Sequence, residues 1–393
     1  MSAIPRGVWT LGLVSLCMDL SSELIHSVLP LYLALALGAS TLTIGIIEGV
    51  AEATALIVKM FSGVLSDMFR RRKPLVLLGY GLAALSKIIF PLAPGLGWVV
   101  TARFADRVGK GIRGAPRDAL IADISPAGLR GASFGLRQSL DTIGAFVGPL
   151  AAIGLMWWTA DDFAAVFWVA VLPAFLSFGL IAFAVSEPEP DPSRVPARNP
   201  LNLAAMRQLG AVYWRVVAVG VVFTLARFSE AFLILRAQNI GLNAMWVPAV
   251  LVLMNITYAL SAFPAGVLSD RINRSGLLAV GLVFLAGADL ALALLPSLAG
   301  LALGVVLWGL HMGLTQGLLS ALVADTAPPN LRGTAFGYFN LFTGLASLAA
   351  SVIAGGLWDA YGPTGTFFAG LGFALVALVG LLAIGNGLGV ERK

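Results

Sequence analysis

Charge is what this sequence has least of. Only 11% of its 393 residues are Asp, Glu, Lys or Arg, against roughly a quarter in a soluble globular chain, which excludes an ordinary water-facing surface. Cysteine is almost absent: Cys17 stands alone, so neither an intrachain disulfide nor a cysteine metal cluster can be built. The two histidines, His26 and His311, belong to different halves, and no dense set of Asp, Glu or Met surrounds His311. Ordinary hydrogen-bonded histidines, with no metal, are therefore expected. A phosphate-binding loop of the form Gly-x4-Gly-Lys-Ser/Thr is missing, and the stretch from Gly109 through Lys110 to Gly111 lacks its spacing. His-Glu-x-x-His and Gly-x-Ser-x-Gly are missing too. No enzymatic activity, no cofactor and no nucleotide-driven pumping within this chain are expected. Arg6 precedes a long segment carrying Asp19, Glu23 and His26, without a short apolar core and a small-residue cleavage site. The first helix should be retained.

What the chain does have is apolar length. Hydrophobic residues make up 59%, mean hydropathy is +0.91, and a crossing of the bilayer core needs about 20 apolar residues. Apolar runs predict twelve transmembrane helices, near 8–35, 43–66, 74–94, 97–120, 131–157 and 163–185, then 212–238, 243–268, 276–296, 298–324, 333–357 and 363–388. Between the sixth and seventh lies a Pro-rich polar stretch that cannot continue a helix. The expected organisation is an N-terminal six-helix bundle (1–185), a cytoplasmic linker (186–211) and a C-terminal six-helix bundle (212–393).

A formal net charge of +5 would suggest nucleic acid in a soluble chain, but here the loops absorb it. Alternate loops collect Arg70 to Lys73, Arg130, Arg194, Arg198, Arg207, Arg271, Arg274 and Arg332, while the others hold Asp161, Asp162 and Asp359. By the positive-inside rule both termini are cytoplasmic, and a multi-pass protein of a bacterial inner membrane is expected, with the lipid bilayer as partner and no nucleic acid. The halves also repeat. Gly63 to Asp67 recurs as Gly266 to Asp270 at an offset of 203 residues, and Ala122, Asp123, Leu129 and Phe134 recur at 202 as Ala324, Asp325, Leu331 and Phe336. Each matched pair follows an even number of crossings, so the repeats run parallel, an arrangement that places a binding cavity between halves.

The segment from Gly63 through Asp67 to Arg70, Arg71, Arg72, Lys73 and Pro74 closely resembles the loop 2-3 signature of the major facilitator superfamily, with Gly266 to Arg274 as a weaker copy. In this comparison Gly63, Asp67, Arg71 and Asp270 form a gate motif. In the fourth span, Arg107, Lys110, Gly111 and Arg113 are similar to the family's Arg-x-x-Gln-Gly motif, whose arginine is implicated in proton transfer; Lys110 and Arg113 depart from it. Gly135, Gly144, Gly148 and Pro149 resemble the glycine signature of the family's antiporters, and the second half, with Gly337, Ala346 and Ala350, lacks the proline. The resemblance implies an all-α integral membrane fold of two parallel six-helix repeats, similar to the twelve-helix drug–proton antiporters, working as a monomer.

Chemistry should sit where charges fall inside spans. Arg103, Asp106, Lys110, Arg113 and Arg117 follow 3-4-3-4 spacing on one helix stripe, and lipid cannot border such a stripe. An interhelix salt-bridge ladder and an anion-attracting cavity wall both satisfy that spacing. Asp19, Glu23 and His26 share a face of the first span, and Glu48, Glu52 and Lys59 share one in the second. Arg137 and Asp141 in the fifth span, and Arg227 and Glu230 in the seventh, complete the set with Arg103, Asp106 and Arg107. Burial favours the neutral form of a carboxylic acid and a nearby cation favours the charged one, so alternate opening to each side can load and release a proton. The expected function is a proton-coupled secondary transporter exporting a small polar or charged organic solute or drug. Proton–solute symport for uptake is one alternative, and a non-transporting sensor or lipid-handling protein is another.

Overall fold

In the computed structural model of the chain, residues 4–69, 71–126, 129–187, 208–269, 274–328 and 331–385 are described. Among them every regular element is a helix. The principal helices are α1 (Arg6–His26), α2 (Thr41–Phe69), α3 (Lys73–Leu92), α4 (Leu96–Ile124), α5 (Arg130–Thr159) and α6 (Phe163–Ala184). They are followed by α7 (Ala211–Ala226), α8 (Ala231–Asn239), α9 (Ala249–Ser269), α10 (Arg274–Leu294), α11 (Leu298–Thr326) and α12 (Arg332–Gly385).

Ten stretches among the described residues are long and apolar enough to cross a membrane. The charged α4 is not one of them, and the last, Thr334–Leu382, is a single 49-residue stretch. That stretch breaks at Gly362, whose φ of 72° and ψ of −174° interrupt the helix just before Pro363; a side chain at that φ would be strained. Two spans expected to be continuous are also interrupted. The first stops at His26 and continues through Leu29–Leu31 into a π-helical turn at Tyr32–Ala36, because Pro30 offers no backbone N–H to the preceding turn. The seventh is broken at Arg227–Glu230, where Arg227 has a non-helical ψ of 83°, and the Ser229 hydroxyl accepts the Ala231 N–H at 3.2 Å to start α8.

Two compact units are present. One comprises Met1–Leu37, Thr54–Asn199 and Ala244–Ala249, and the other Gly38–Ala53, Pro200–Asn243 and Val250–Lys393. In the first, α1 packs on α5 and α6, and α3 packs on α4 and α6, around Leu11, Met18, Val76, Tyr80, Leu120 and Ile181. Helix-on-helix packing without a hydrophobic driving force relies on close backbone approach through small residues. At the α3–α4 crossing a Cβ on Gly109 would stand 2.6 Å from the Gly79 carbonyl oxygen and 3.0 Å from the Ala83 nitrogen. The second unit packs α12 on α7 and α10, and α10 on α11. There Asp359 accepts the N–H groups of Thr41 at 3.1 Å and Leu42 at 3.0 Å, satisfying two donors at the start of α2.

Asp270 and residues 188–207 of the expected linker at 186–211 lie outside the described residues, as does the side chain of Asp67. Arg71 is exposed, and a Cβ on Gly63 would lie 3.2 Å from that of Ala115.

Because the nearest atoms are backbone and the Ala83 Cβ, none of which can swing aside, Gly109→Val should separate α3 from α4 at a cost of about 1–3 kcal/mol. A lowered midpoint of thermal unfolding in detergent checks this; an unchanged midpoint would contradict the crossing.

Candidate functional site

Lys110 is central in α4, fourteen residues from either end of Leu96–Ile124, or about 21 Å along the axis at the usual rise. The charges around it sort into a buried layer and a half-exposed layer. In the buried layer Arg103, Asp106, Arg107 and Arg113 are each at most 4% exposed, which rules out contact with lipid or bulk water. Lys87 of α3 reaches Asp106 at 2.9 Å and donates to Ser22 Oγ at 3.2 Å, while Arg107 lies 3.6 Å from the other oxygen of Asp106. One carboxylate thus holds two cations between helices. Arg113 is balanced differently, its guanidinium carbon 4.7 Å from the centroid of the Tyr80 ring.

The half-exposed layer joins α1, α2, α4 and α5. Arg117 donates to Ser15 Oγ at 3.0 Å and to Asp118 at 3.1 Å. Arg137 donates to the same Asp118 oxygen at 3.1 Å and is also paired with Asp141 one turn on. Asp19 lies within electrostatic reach of Asp141, Arg113, Lys110 and Arg117. Glu23 is 3.5 Å from His26 Nδ1 and within reach of Lys110 and Arg107.

The glycines of α5 explain how these carboxylates are held. A Cβ on Gly144 would stand 2.7 Å from the Leu16 carbonyl oxygen and 3.1 Å from Asp19 Cβ, and one on Gly148 would stand 2.5 Å from Glu23 Cβ. Helix α5 therefore lies directly against the acidic face of α1. Gly135 of the same signature has nothing within 4 Å, so only its later members make the contact, with Pro149 buried beside them.

The second unit contains a smaller polar group. Arg227, at the break before α8, is within electrostatic reach of Glu230, Glu52 and Tyr258, and Glu48 is buried. Next to Arg227, Phe228 sits among the rings of Phe232, Trp308 and Phe367 at 5.3, 5.5 and 5.7 Å. His311 stacks on Phe223 at 5.3 Å and pairs through Nδ1 with the Gly281 carbonyl at 2.8 Å. Among the described residues no group of His, Cys, Asp and Glu has the arrangement of a metal site.

The twelve candidate coupling and solute residues thus divide between the units: Asp19, Glu23, His26, Arg103, Asp106, Arg107, Arg137 and Asp141 in one, Glu48, Glu52, Arg227 and Glu230 in the other. Three charged residues were missed. Lys87 is the lone Asp, Glu, Lys or Arg in the apolar run from Leu75 to Leu92, and an isolated charge inside a span is itself a signal. Asp118 was hidden beside Arg117. Asp289 is a lone carboxylate in α10, fully buried, with no hydrogen bond to either oxygen among the described residues.

The family model of the Major Facilitator Superfamily matches residues 11–351 and, in a second match, 237–386. An uncharacterized MFS-type transporter of Methanocaldococcus jannaschii is 33% identical over 387 residues, covering 97% of this chain and 95% of its own. A POT family transporter solved with a thioalcohol-conjugated peptide superposes with a TM-score of 0.82 at 14% identity, covering 98% of this chain and 97% of its own. A D-xylose–proton symporter superposes with a TM-score of 0.71 at 17% identity, covering 95% and 96%.

Removing one partner of a buried ion pair strands the other, at about 3–5 kcal/mol. Lys87→Met and Asp106→Asn should each lower the thermal midpoint strongly, and the double variant should recover part of the loss; strictly additive effects in this cycle would refute the pairing. Gly148→Leu should destabilise by about 1–3 kcal/mol while Gly135→Leu leaves the midpoint nearly unchanged, measured in the same unfolding assay.

Proposed function

The chain belongs to the major facilitator superfamily, and from that premise we propose that it is a proton-coupled secondary transporter of a small polar or charged organic solute. In this proposal the chain makes twelve crossings of the cell membrane in two parallel six-helix repeats with cytoplasmic termini, and works as a monomer by alternating access. The observation that carries it is the pair of carboxylates Asp19 and Glu23, pressed against Gly144 and Gly148 of α5 and within reach of the cations of α4. A carboxyl group placed between a like charge and several cations changes its proton affinity when any neighbour is engaged or released. That is the property that couples a proton to a solute.

Export in exchange for protons is our first reading of the direction, supported by the antiporter-like glycines that clamp these two carboxylates. Proton–solute cotransport is a second, favoured by a particular feature: Lys110 lies within electrostatic reach of Asp19 and Glu23, so a negatively charged solute there and a proton on either carboxylate would favour each other. Arg227, Glu230 and Glu52 are candidates for solute contact from the other polar group.

In sealed proteoliposomes with an internal pH reporter, a panel of charged and neutral metabolites and drugs should evoke a proton flux that Asp19→Asn and Glu23→Gln abolish. Proton flow against the solute supports exchange, and flow with it supports cotransport. Solute flux that persists in both variants without any pH change would refute proton coupling at this site.

A further inference from the structure

Resting on the transporter reading but not on its direction, we propose that the solute is an anion whose carboxylate or phosphate is received by Lys110 of α4, with Lys59 of α2 alongside. The cations of the first unit can be accounted for one at a time. Lys87 and Arg107 are held by Asp106. Arg117 and Arg137 share Asp118, and Arg137 also holds Asp141. Arg113 lies over Tyr80, and Arg103 is buried and engaged.

Lys59 and Lys110 remain. Both are exposed, and neither ammonium has a salt bridge or hydrogen bond among the described residues. For Lys110, halfway along a membrane-length helix, exposure to lipid would cost several kcal/mol, so the exposed ammonium faces a polar cleft. Its neighbours agree, since Asp19 and Glu23 of α1 feel its charge. Lys59 comes to the same place from α2. Its Cγ, Cδ and Cε run 3.5–3.6 Å from where a Cβ on Gly114 would be, and its ammonium is within reach of Lys110, Arg117, Asp118 and Arg137.

The acids near the two lysines, Asp19, Glu23, Asp118 and Asp141, have other neighbours to serve. Asp118 and Asp141 are already committed to arginines, Glu23 is paired with His26, and Asp19 lies within electrostatic reach of Arg113 and Arg117 as well as Lys110. An oxyanion at the two lysines would give them the close partner that these acids do not. Lysine suits this role, because its ammonium is a compact charge on a flexible stem and carries three donors that follow a moving ligand.

The test uses the purified full chain in detergent with paired probes: benzoate and benzamide, succinate and succinamide, glycerol 3-phosphate and glycerol, together with tetraethylammonium. Thermal stabilisation by charged members at millimolar concentration, without their neutral partners, is expected. Carboxylates alone or phosphates alone responding would assign the oxyanion. Lys110→Gln should weaken the apparent affinity about tenfold or more, as loss of a charged hydrogen bond does, and Lys110→Arg should keep most of it. In a Cys17→Ser background, Lys110→Cys should regain binding after modification with an aminoethyl methanethiosulfonate and not with a sulfonatoethyl one, which separates lost charge from lost fold. Binding by neutral or cationic probes only, no response to any anion, or unchanged affinity in Lys110→Gln would overturn the proposal. Anion binding without flux in proteoliposomes would leave this inference standing and sink the transport reading. Flux of a neutral solute undisturbed by Lys110→Gln would do the reverse.

Discussion

Burying the charges of α4 is the requirement around which the first unit is arranged. A helix bearing Arg103, Asp106, Arg107, Lys110, Arg113 and Arg117 cannot border hydrocarbon, so other helices must surround it and neutralise it. The central neutralising contact is Asp106 with Lys87, 2.9 Å apart and almost fully buried. It ties α4 to α3 at the same crossing where Gly79 and Gly109 bring the two backbones together. Close approach and charge pairing depend on each other there: a lysine stem spans only a short gap, and an uncompensated carboxylate between helices would be strongly destabilising.

The same logic extends to α1 and α5. Gly144 and Gly148 let α5 lie against Asp19 and Glu23, while Arg137 of that helix balances Asp118 and Asp141. Each arginine of the half-exposed layer is committed, which leaves Asp19 within electrostatic reach of Lys110, Arg113 and Arg117 without an ion pair of its own, while Glu23 is paired with His26. Fixed pairs confer rigidity, whereas groups that share a field without contact respond to protons and ligands. Structural support in the buried layer and adjustable charge in the cleft are thus drawn from one helix, separated by which way each side chain turns.

Part of this was legible in residue order. The long apolar runs, the internal repeat and the charge stripe of α4 are visible in residue order and indicate a membrane protein of two halves, while the family was legible through the resemblance of the segments at Gly63 and Gly144 to its motifs. Less legible was the division of that stripe. Spacing places Lys110 and Arg113 on one face, yet Arg113 is buried over Tyr80 and Lys110 is exposed. Lys87 was visible as a lone charge in an apolar run, but its partner was not, because Asp106 is nineteen positions away on another helix. The break at Arg227–Glu230 escaped notice because the surrounding run is apolar enough to read as one helix.

By itself the sequence determined the solvent in which this protein folds and the helical form of its segments, since apolar length and charge placement are local properties of the chain, and its motifs resemble those of the family to which it belongs. Only the tertiary structure decided which charges cancel and which are left over. Ion pairing falls off steeply with distance, and the distances that matter here run between helices whose contact depends on a glycine in one and a carboxylate in the next.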